Sequence, residues 1–306
     1  MSQSTRFTRA AAAGSVLALA AGGALLVSPA NAATSATIQY TCTVLGGTQF
    51  LSGNHTVADT APYGGDVDVS GTLVVPNALR DFLYQNGIRS VDGTTKVYAL
   101  AAGAVPLTVD ETVPKQNVPS TAGDWTINAS GTLSLAPYAG ATPAGTQLPV
   151  SLQDRKQSDG TTEASDLDAT LQNYDANNAP LGGPQQIPCE IDPNDQVLTV
   201  GTVTVVAADS ATAPKLSFNA KKDVLKAKST VTSDNSHVTP DGKVKMVLKK
   251  DGKVVSTATK TLNDKGVASM SMSKAKKGNY KLIAKYLSDD AGNFNTSGGT
   301  ATKKVS

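Results

Sequence analysis

The sequence predicts an all-β protein, with a signal peptide followed by two β-sandwich domains. Three observations indicate this fold class. Short runs of alternating apolar and polar residues recur along the chain, and periodic helical segments are almost absent. The composition is rich in Thr, Ser, Val, Ala and Gly, with only 5% aromatic residues. Such a chain is typical of sandwiches rather than of helical bundles or α/β folds.

The distribution of charge predicts the two domains. Residues 33–209 carry 6 Lys/Arg against 18 Asp/Glu, whereas residues 210–306 carry 19 Lys, no Arg and 7 Asp. Opposite net charges on two segments indicate units with separate electrostatic characters. The reversal falls beside a small, polar stretch. We therefore expect an acidic domain at 33–206, a linker at 207–214 and a basic domain at 215–306.

The first 32 residues have the features of a secretory leader. Arg6 and Arg9 precede an uncharged run, and Ala30-Asn31-Ala32 fits the small-x-small rule for cleavage. A transmembrane anchor is the alternative, but the run is Ala- and Gly-rich and short for a bilayer. We predict a signal peptide at 1–32, no membrane contact after its cleavage, and a secreted or cell-wall-associated protein.

The chain has two cysteines, Cys42 and Cys189. An even pair in an exported protein is typically oxidised. We therefore predict one disulfide, which would join the first strand of the acidic domain to its end.

Strand signals follow one another along the acidic domain. Apolar residues alternate from Ile38 to Val44 and again from Val67 to Val75, which predicts strands at 36–45 and 66–75. Further strands are predicted at 95–101, 105–109, 124–135, 147–153 and 197–206. The polar segment 154–187 predicts a long loop.

One helix is predicted after residue 76. Asn77 can cap it, Leu79, Phe82 and Leu83 form an apolar stripe, and Gly87 can end it.

Strand patterns cover most of the basic domain. Strands are predicted at 215–220, 224–233, 243–249, 253–262, 267–273, 280–287 and 300–305. Asp251-Gly252 is the strongest hairpin signal in the chain. About seven short strands fit an immunoglobulin-like sandwich, and Tyr280 lies where such sandwiches often place a corner tyrosine.

Residues 243–297 resemble the bacterial immunoglobulin-like repeats of surface and secreted proteins. The matching pieces are Asp251-Gly-Lys-Val-Val-Ser-Thr-Ala-Thr259, Gly278-Asn-Tyr-Lys-Leu-Ile-Ala-Lys-Tyr286 and Ser288-Asp-Asp-Ala-Gly-Asn-Phe-Asn-Thr-Ser297. Members of that family are mostly spacers, adhesin stalks or accessory modules, so the resemblance implies a fold more than a function.

Residues 36–206 resemble a secreted domain of unknown function from high-GC Gram-positive bacteria. The matching pieces are Tyr40-Thr-Cys42, Val69-Ser-Gly-Thr-Leu-Val-Val-Pro76 and Pro188-Cys-Glu-Ile-Asp-Pro193. This resemblance implies an extracytoplasmic location and no particular chemistry.

We expect a non-enzymatic protein without a cofactor. Its two histidines, His55 and His237, lie in polar stretches and are predicted on the surface. Asp110 and Glu111 would face opposite sides of a strand, so they do not form the carboxylate pair that a glycosidase needs.

No metal site is predicted. The segments 289–293 and 192–195 are rich in Asp and Asn, but both lack the spaced bidentate Glu of a calcium loop, and turn formation explains them.

Lysines supply the one candidate binding surface. In an immunoglobulin-like sandwich the third and sixth strands are neighbours in one sheet. Alternation then predicts that five lysines project from a single face of this sheet: Lys243, Lys245, Lys249, Lys281 and Lys285. Lys253 is predicted near the edge of that face. We predict contact with an anionic cell-wall polymer or another surface protein; the alternative is a merely solvated face. Without Arg or exposed aromatics, sequence-specific nucleic-acid binding is not expected.

The leading hypothesis is a non-catalytic secreted or cell-surface protein whose bacterial immunoglobulin-like module mediates wall or macromolecular contacts. The alternative is a polysaccharide-binding or enzyme-accessory module, which would need exposed aromatic rings. The single Trp125 is predicted to pack in the core of the acidic domain instead.

Overall fold

A computed structural model describes residues 36–101, 105–153, 165–192, 198–288 and 292–306. The predicted signal peptide lies outside these residues. The described chain is nearly all β, with one α-helix, α1 (Asn77–Gln85), and a 3₁₀ helix at Ala136–Ala141. The strands are β1 (Ala36–Val44), β2 (Gly47–Val57), β3 (Thr60–Pro62), β4 (Asp66–Val75), β5 (Ser90–Ala101), β6 (Val105–Asn117), β7 (Trp125–Ser134), β8 (Gln147–Leu152), β9 (Leu167–Tyr174), β10 (Gln185–Ile191), β11 (Thr199–Val206), β12 (Ser210–Asn219), β13 (Val224–Ser233), β14 (Lys243–Lys250), β15 (Lys253–Thr261), β16 (Val267–Met272), β17 (Gly278–Tyr286) and β18 (Gly298–Val305).

The first eleven strands form one sheet, and eight of them close into a barrel. The order around the barrel is β5-β6-β7-β4-β2-β1-β10-β9, and β9 pairs again with β5. Strands β8, β11 and β3 extend the sheet from β5. The alternation from Ile38 to Val44 faces the interior as predicted, and Trp125 is buried there.

The predicted sandwich is therefore wrong for the N-terminal domain, which is a closed barrel. The reason lies in the segment expected to be a loop, because residues 167–174 and 185–187 belong to β9 and β10. These strands pair with each other, and β9 supplies the closing contact to β5, for example Thr94 opposite Thr170. Residues 154–164 of that segment lie outside the described part.

Helix α1 packs against the core of the barrel. Leu79 is buried and Leu83 packs against the core, but Phe82 is 48% exposed, so the predicted stripe holds only in part. Arg80 is buried as well; it donates to the carbonyl oxygen of Pro119 at 3.0 Å and pairs with Asp81 at 2.8 Å. The helix is thus attached to the barrel by a polar anchor and an apolar contact.

The last seven strands form two sheets, with the orders β12-β13-β16 and β15-β14-β17-β18. All seven were predicted from the sequence, and the turn at Asp251-Gly252 has the positive φ angles of 46° and 84° that a tight hairpin requires. Buried side chains from both sheets form one core, including Leu225, Met246 and Leu282. This half is called the C-terminal module below.

Residues 207–214 do not form a free connection. Strand β12 begins at Ser210, and Ala208 is buried and pairs with Phe294. The barrel and the C-terminal module touch beside this segment, where the rings of Tyr63 and Phe294 meet edge to face with centroids 5.4 Å apart. Asn235 also donates to the carbonyl oxygen of Tyr63 at 3.0 Å.

Candidate functional site

The predicted lysines lie on two adjacent strands of the four-stranded sheet. Strands β14 and β17 are antiparallel neighbours, and their register places Lys245 directly opposite Lys285 and Lys249 directly opposite Lys281. Because opposite residues of a pair share one face of the sheet, these four ammonium groups project together.

Core packing on the other side of β14 fixes this orientation. Val244, Met246 and Leu248 are at most 1% exposed, so the alternate positions must point away from the core. Lys243 continues the same face. Lys253 begins β15 opposite Lys250, and Lys250 follows Lys249 in the strand, so the register places Lys253 on the other side of the sheet from Lys249.

The register adds residues that the sequence did not predict for this surface. Lys304 of β18 pairs with Asn279, two residues before Lys281, and is exposed on the same face. Threonines flank the lysines on the outer strands, among them Thr259 opposite Lys245 and Thr302 opposite Lys281. We call the following residues the lysine face: Lys243, Lys245, Lys249, Lys281, Lys285 and Lys304.

The lysine face carries an excess of positive charge, although Asp251 lies near Lys281 and Lys304. Among the described residues, none of its members forms an ion pair. Like charges directly opposite each other destabilise a sheet. Lysines commonly protect exposed edges from aggregation, but β14 and β17 are the two central strands of this sheet. Edge protection therefore does not explain the two lysine pairs.

The predicted disulfide is present between Cys42 and Cys189. The two residues are register partners on β1 and β10, so the bond joins neighbouring strands of the barrel wall and closes a separation of 147 residues.

The barrel interior contains a polar cluster that the sequence pattern did not predict. His55, predicted on the surface, is 4% exposed and its Nε2 lies 2.9 Å from the Tyr40 hydroxyl. Glu111 is 2% exposed and accepts a 2.8 Å hydrogen bond from the Thr95 hydroxyl. Period-two spacing could have revealed both, since Glu111 lies between the buried Val109 and Val113.

Burial disfavours the charged form of both groups. It lowers the pKa of His55 from 6.5 to about 4. It also raises the pKa of Glu111, although the hydrogen bond from Thr95 opposes part of that shift. Burial therefore shifts the titration of both groups toward their neutral forms.

Two small cavities lie inside the barrel. One, of about 20 Å³, lies beside His55, Gly71, Thr95 and Glu111, and apolar side chains such as Val113 and Leu171 form most of its lining. The other, of about 50 Å³, is apolar and lies under α1, beside Trp125 and Leu79. Neither has the size of a site for a drug-sized ligand.

The other candidates from the sequence do not assemble into a site. Trp125 is buried, so it offers no platform for a sugar ring, and Asp110 points to solvent while Glu111 points inward, as predicted. His237 is exposed, as expected. The segments considered for calcium lie largely outside the described residues. Among the residues that are described, no group of three or more His, Cys, Asp or Glu could hold a metal ion.

Within the described ranges, α1 and the shorter helical turn lack the length and apolar character needed to cross a bilayer.

Comparison with known proteins gives weak similarities. No family model matches the chain, and no curated protein is similar to it. Among solved structures, one from Corynebacterium diphtheriae, described as membrane anchored, is 12% identical with a TM-score of 0.29, covering 87% of this chain and 58% of that one. The β-glucuronidase of Parabacteroides merdae is 13% identical with a TM-score of 0.24, covering 78% of this chain and 28% of the enzyme.

The major pilin subunit of Bacillus cereus is 11% identical with a TM-score of 0.20, covering 84% of this chain and 68% of the pilin. This chain thus spans little more than half of the first of these three proteins and about a quarter of the second. TM-scores this low assign neither fold nor function, and the proposals below do not depend on them.

Proposed function

We propose that this chain is an exported, non-catalytic surface protein whose C-terminal module binds an anionic wall polymer through the lysine face. One observation carries the proposal: Lys245 lies opposite Lys285 and Lys249 opposite Lys281 on central strands, with no acidic partner among the described residues. Repulsion between the opposite lysines destabilises the free module. A polyanion that bridges the pairs would relieve this repulsion, so its binding would stabilise the module.

An immunoglobulin-like fold for the module is part of the proposal. The orders β12-β13-β16 and β15-β14-β17-β18 match a seven-strand arrangement of three and four strands. The hydroxyl of Tyr280 donates to the carbonyl oxygen of Lys276 at 2.8 Å, which is the contact of a tyrosine corner.

The chemistry of the lysine face favours a polymer of phosphates over a sequence-specific ligand. Lysine acts as a point charge without the forked geometry of Arg, and residues 210–306 contain no Arg. The aromatic residues Tyr280, Tyr286 and Phe294 are buried, so they cannot stack on bases or sugar rings. Threonine hydroxyls beside the lysines can add hydrogen bonds to phosphate oxygens.

Export is supported by the disulfide, because such bonds persist in oxidising compartments.

The proposal is tested with the full chain and immobilised poly(glycerol phosphate) as the probe. We expect binding at low salt that weakens steeply toward 1 M salt, where the Debye length falls to about 3 Å. The double substitution Lys245→Glu with Lys281→Glu should abolish it. That variant should fold, since each new carboxylate lies opposite a remaining lysine, Lys285 or Lys249.

The matched control changes the same amount of charge on the other sheet. Lys226 and Lys228 are exposed on β13, the central strand of the three-stranded sheet. Lys226→Glu with Lys228→Glu should retain most of the binding. Equal loss in both double variants would show that net charge, not the lysine face, binds the polymer. Binding of the full chain to a neutral glucan instead would support the polysaccharide-binding alternative.

A further inference from the structure

Two polar atoms inside the barrel have no partner in the described protein. They are Nδ1 of His55 and Oε1 of Glu111, and each side chain uses its other polar atom in a hydrogen bond to Tyr40 or Thr95. Buried groups of this kind are normally satisfied, and each exception calls for an explanation.

The two atoms face the same small space. His55 on β2 and Glu111 on β6 are separated around the barrel wall by β4 and β7. Gly71 of β4 lies opposite His55 in the register. A Cβ at residue 71 would lie 3.0 Å from His55 Nδ1, 3.0 Å from Glu111 Oε2 and 3.2 Å from Glu111 Oε1. The missing side chain of Gly71 therefore leaves the space that the two polar groups share.

This space has the size of one water molecule. The centre of a water-sized sphere can occupy about 20 Å³ of it, so the space can hold a water molecule. A water also needs two or more polar partners, and His55 and Glu111 supply them. Because water both donates and accepts, it can satisfy either tautomer of His55 and either protonation state of Glu111.

We propose that one water molecule binds in this cavity and joins His55 Nδ1 to Glu111 Oε1. The bridge completes a hydrogen-bonded chain from Tyr40 through His55, the water and Glu111 to Thr95. That chain crosses the barrel interior and joins the strand pair β1 and β2 to the strand pair β5 and β6. No strand of one pair is a neighbour of a strand of the other pair in the sheet. Water is thus a structural ligand of the barrel, and Gly71 is the residue that makes its site.

A metal cation is the other ligand that could bridge an imidazole and a carboxylate. It would need three or more strong ligands. The cavity offers only two, one imidazole and one carboxyl group, because the neutral hydroxyl of Thr95 is a weak ligand. Burial also favours the protonated form of that carboxyl group, which is a poor cation ligand.

A high-resolution crystal structure of the full chain tests the site directly. We expect one density peak with the height of a water within about 3.2 Å of both His55 Nδ1 and Glu111 Oε1. A direct contact between the two side chains, a cavity without density, or a peak with anomalous scattering from a metal would overturn the proposal.

Substitution at Gly71 tests the energetic role. Gly71→Ala places a methyl group in the water site, so we expect the melting temperature to fall by about 3–8 °C. Gly47→Ala is the matched control, because Gly47 lies in β2 with only ordinary contacts for a Cβ. Its melting temperature should change by no more than about 2 °C.

A second background separates loss of the water from simple crowding. In the double variant His55→Leu with Glu111→Leu the water loses both of its proposed partners, and Gly71→Ala should lower the melting temperature by less than half as much. If Gly71→Ala matches Gly47→Ala, or costs the same in both backgrounds, the bridging role is wrong. Should the double variant fail to fold, the crystal structure decides.

Discussion

The barrel and the C-terminal module enclose their cores in different ways. The barrel has no free edge among its eight strands, but closure leaves a central volume in which Tyr40, His55, Thr95 and Glu111 are buried beside two cavities. In the module, two sheets share one core, and the buried positions of β14 and β17 are occupied by Val, Met, Leu, Ala and Tyr. The difference lies in the titratable groups: the barrel interior holds an imidazole and a carboxyl group, whereas the buried polar residue in the described part of the module is Ser229.

The two regions also place their polar groups on opposite sides of the sheet. The barrel buries a titratable pair, whereas the module exposes its charge as the lysine face. Acid, base and reducing agents should therefore act mainly on the barrel, and salt should act mainly on the module. The predictions below test that division, beginning with the largest effect.

Removal of the disulfide should give the largest loss and should affect the barrel first. Chain-entropy arguments assign up to about 5 kcal/mol to a bond that closes 147 residues. We expect Cys42→Ala with Cys189→Ala to lower the free energy of amide-exchange protection throughout β1 and β10, by an amount of that order. Protection of β14 and β17 should be retained, because no residue of the module lies in the closed loop.

The wild-type protein, oxidised and measured under the same conditions, is the reference for this exchange experiment. Equal loss of protection in the barrel and in the module would contradict the division between them.

The buried pair predicts opposing responses to pH. Folding lowers the pKa of His55 from 6.5 to about 4, so its contribution to stability is complete above pH 6.5 and is lost as pH falls toward 4. The loss amounts to about 3 kcal/mol. Folding raises the pKa of Glu111, so its contribution is present below pH 4.5 and is lost as pH rises through the higher folded value. In the wild type the two slopes partly cancel between pH 4.5 and 6.5.

Glu111→Gln should remove one of the two slopes. We expect the free energy of unfolding of this variant, measured by urea titration, to fall more steeply than that of the wild type as pH drops from 6.5 to 4.5. Asp110→Asn is the control, since this neighbouring carboxylate is exposed and 3.9 Å from Lys96. Parallel profiles for all three proteins would show that Glu111 does not titrate differently in the folded barrel.

The sequence predicted the module better than the barrel for a physical reason. In the module, strands such as β14 and β17 alternate strongly, and tight turns such as Asp251-Gly252 connect neighbours in the chain. In the barrel, β9 carries only Leu167, Ala169 and Leu171 on its buried face, within a polar segment. Its partner β5 is far away in sequence, so local patterns could not predict the closure.

The candidate site shows the same limit. Alternation was enough to identify the outward lysines of β14 and β17, but which lysines oppose each other depends on register, which the sequence does not state. Lys304 was missed because its place beside Lys281 depends on the pairing of β18. His55 was missed because its polar neighbours Asn54 and Thr56, which are only partly buried, outweighed the alternation of Leu51, His55 and Val57.

The smallest predicted effect concerns the contact between the two regions. Separate folding of the barrel and the module stays a prediction, and Gly64 offers a way to test it. Gly64 has a φ of 61°, and a Cβ there would overlap the Cγ1 of Val238 in the module. A second polar contact joins the two regions, because the side chain of Asn293 accepts a 2.9 Å hydrogen bond from the backbone N–H of Ala144.

Gly64→Ala should therefore push the two regions apart locally. The left-handed backbone alone costs about 1 kcal/mol for a residue with a side chain. Gly182 is the matched control for that cost, because its φ is 73° and a Cβ there meets nothing within 4 Å. We expect Gly64→Ala to cost about 1–2 kcal/mol more than Gly182→Ala, and Val238→Ala to restore part of the difference. Calorimetry should then resolve two transitions in Gly64→Ala that lie closer together in the wild type. If Gly64→Ala and Gly182→Ala melt alike, the contact contributes nothing, and the two regions are as independent as their opposite charges suggest.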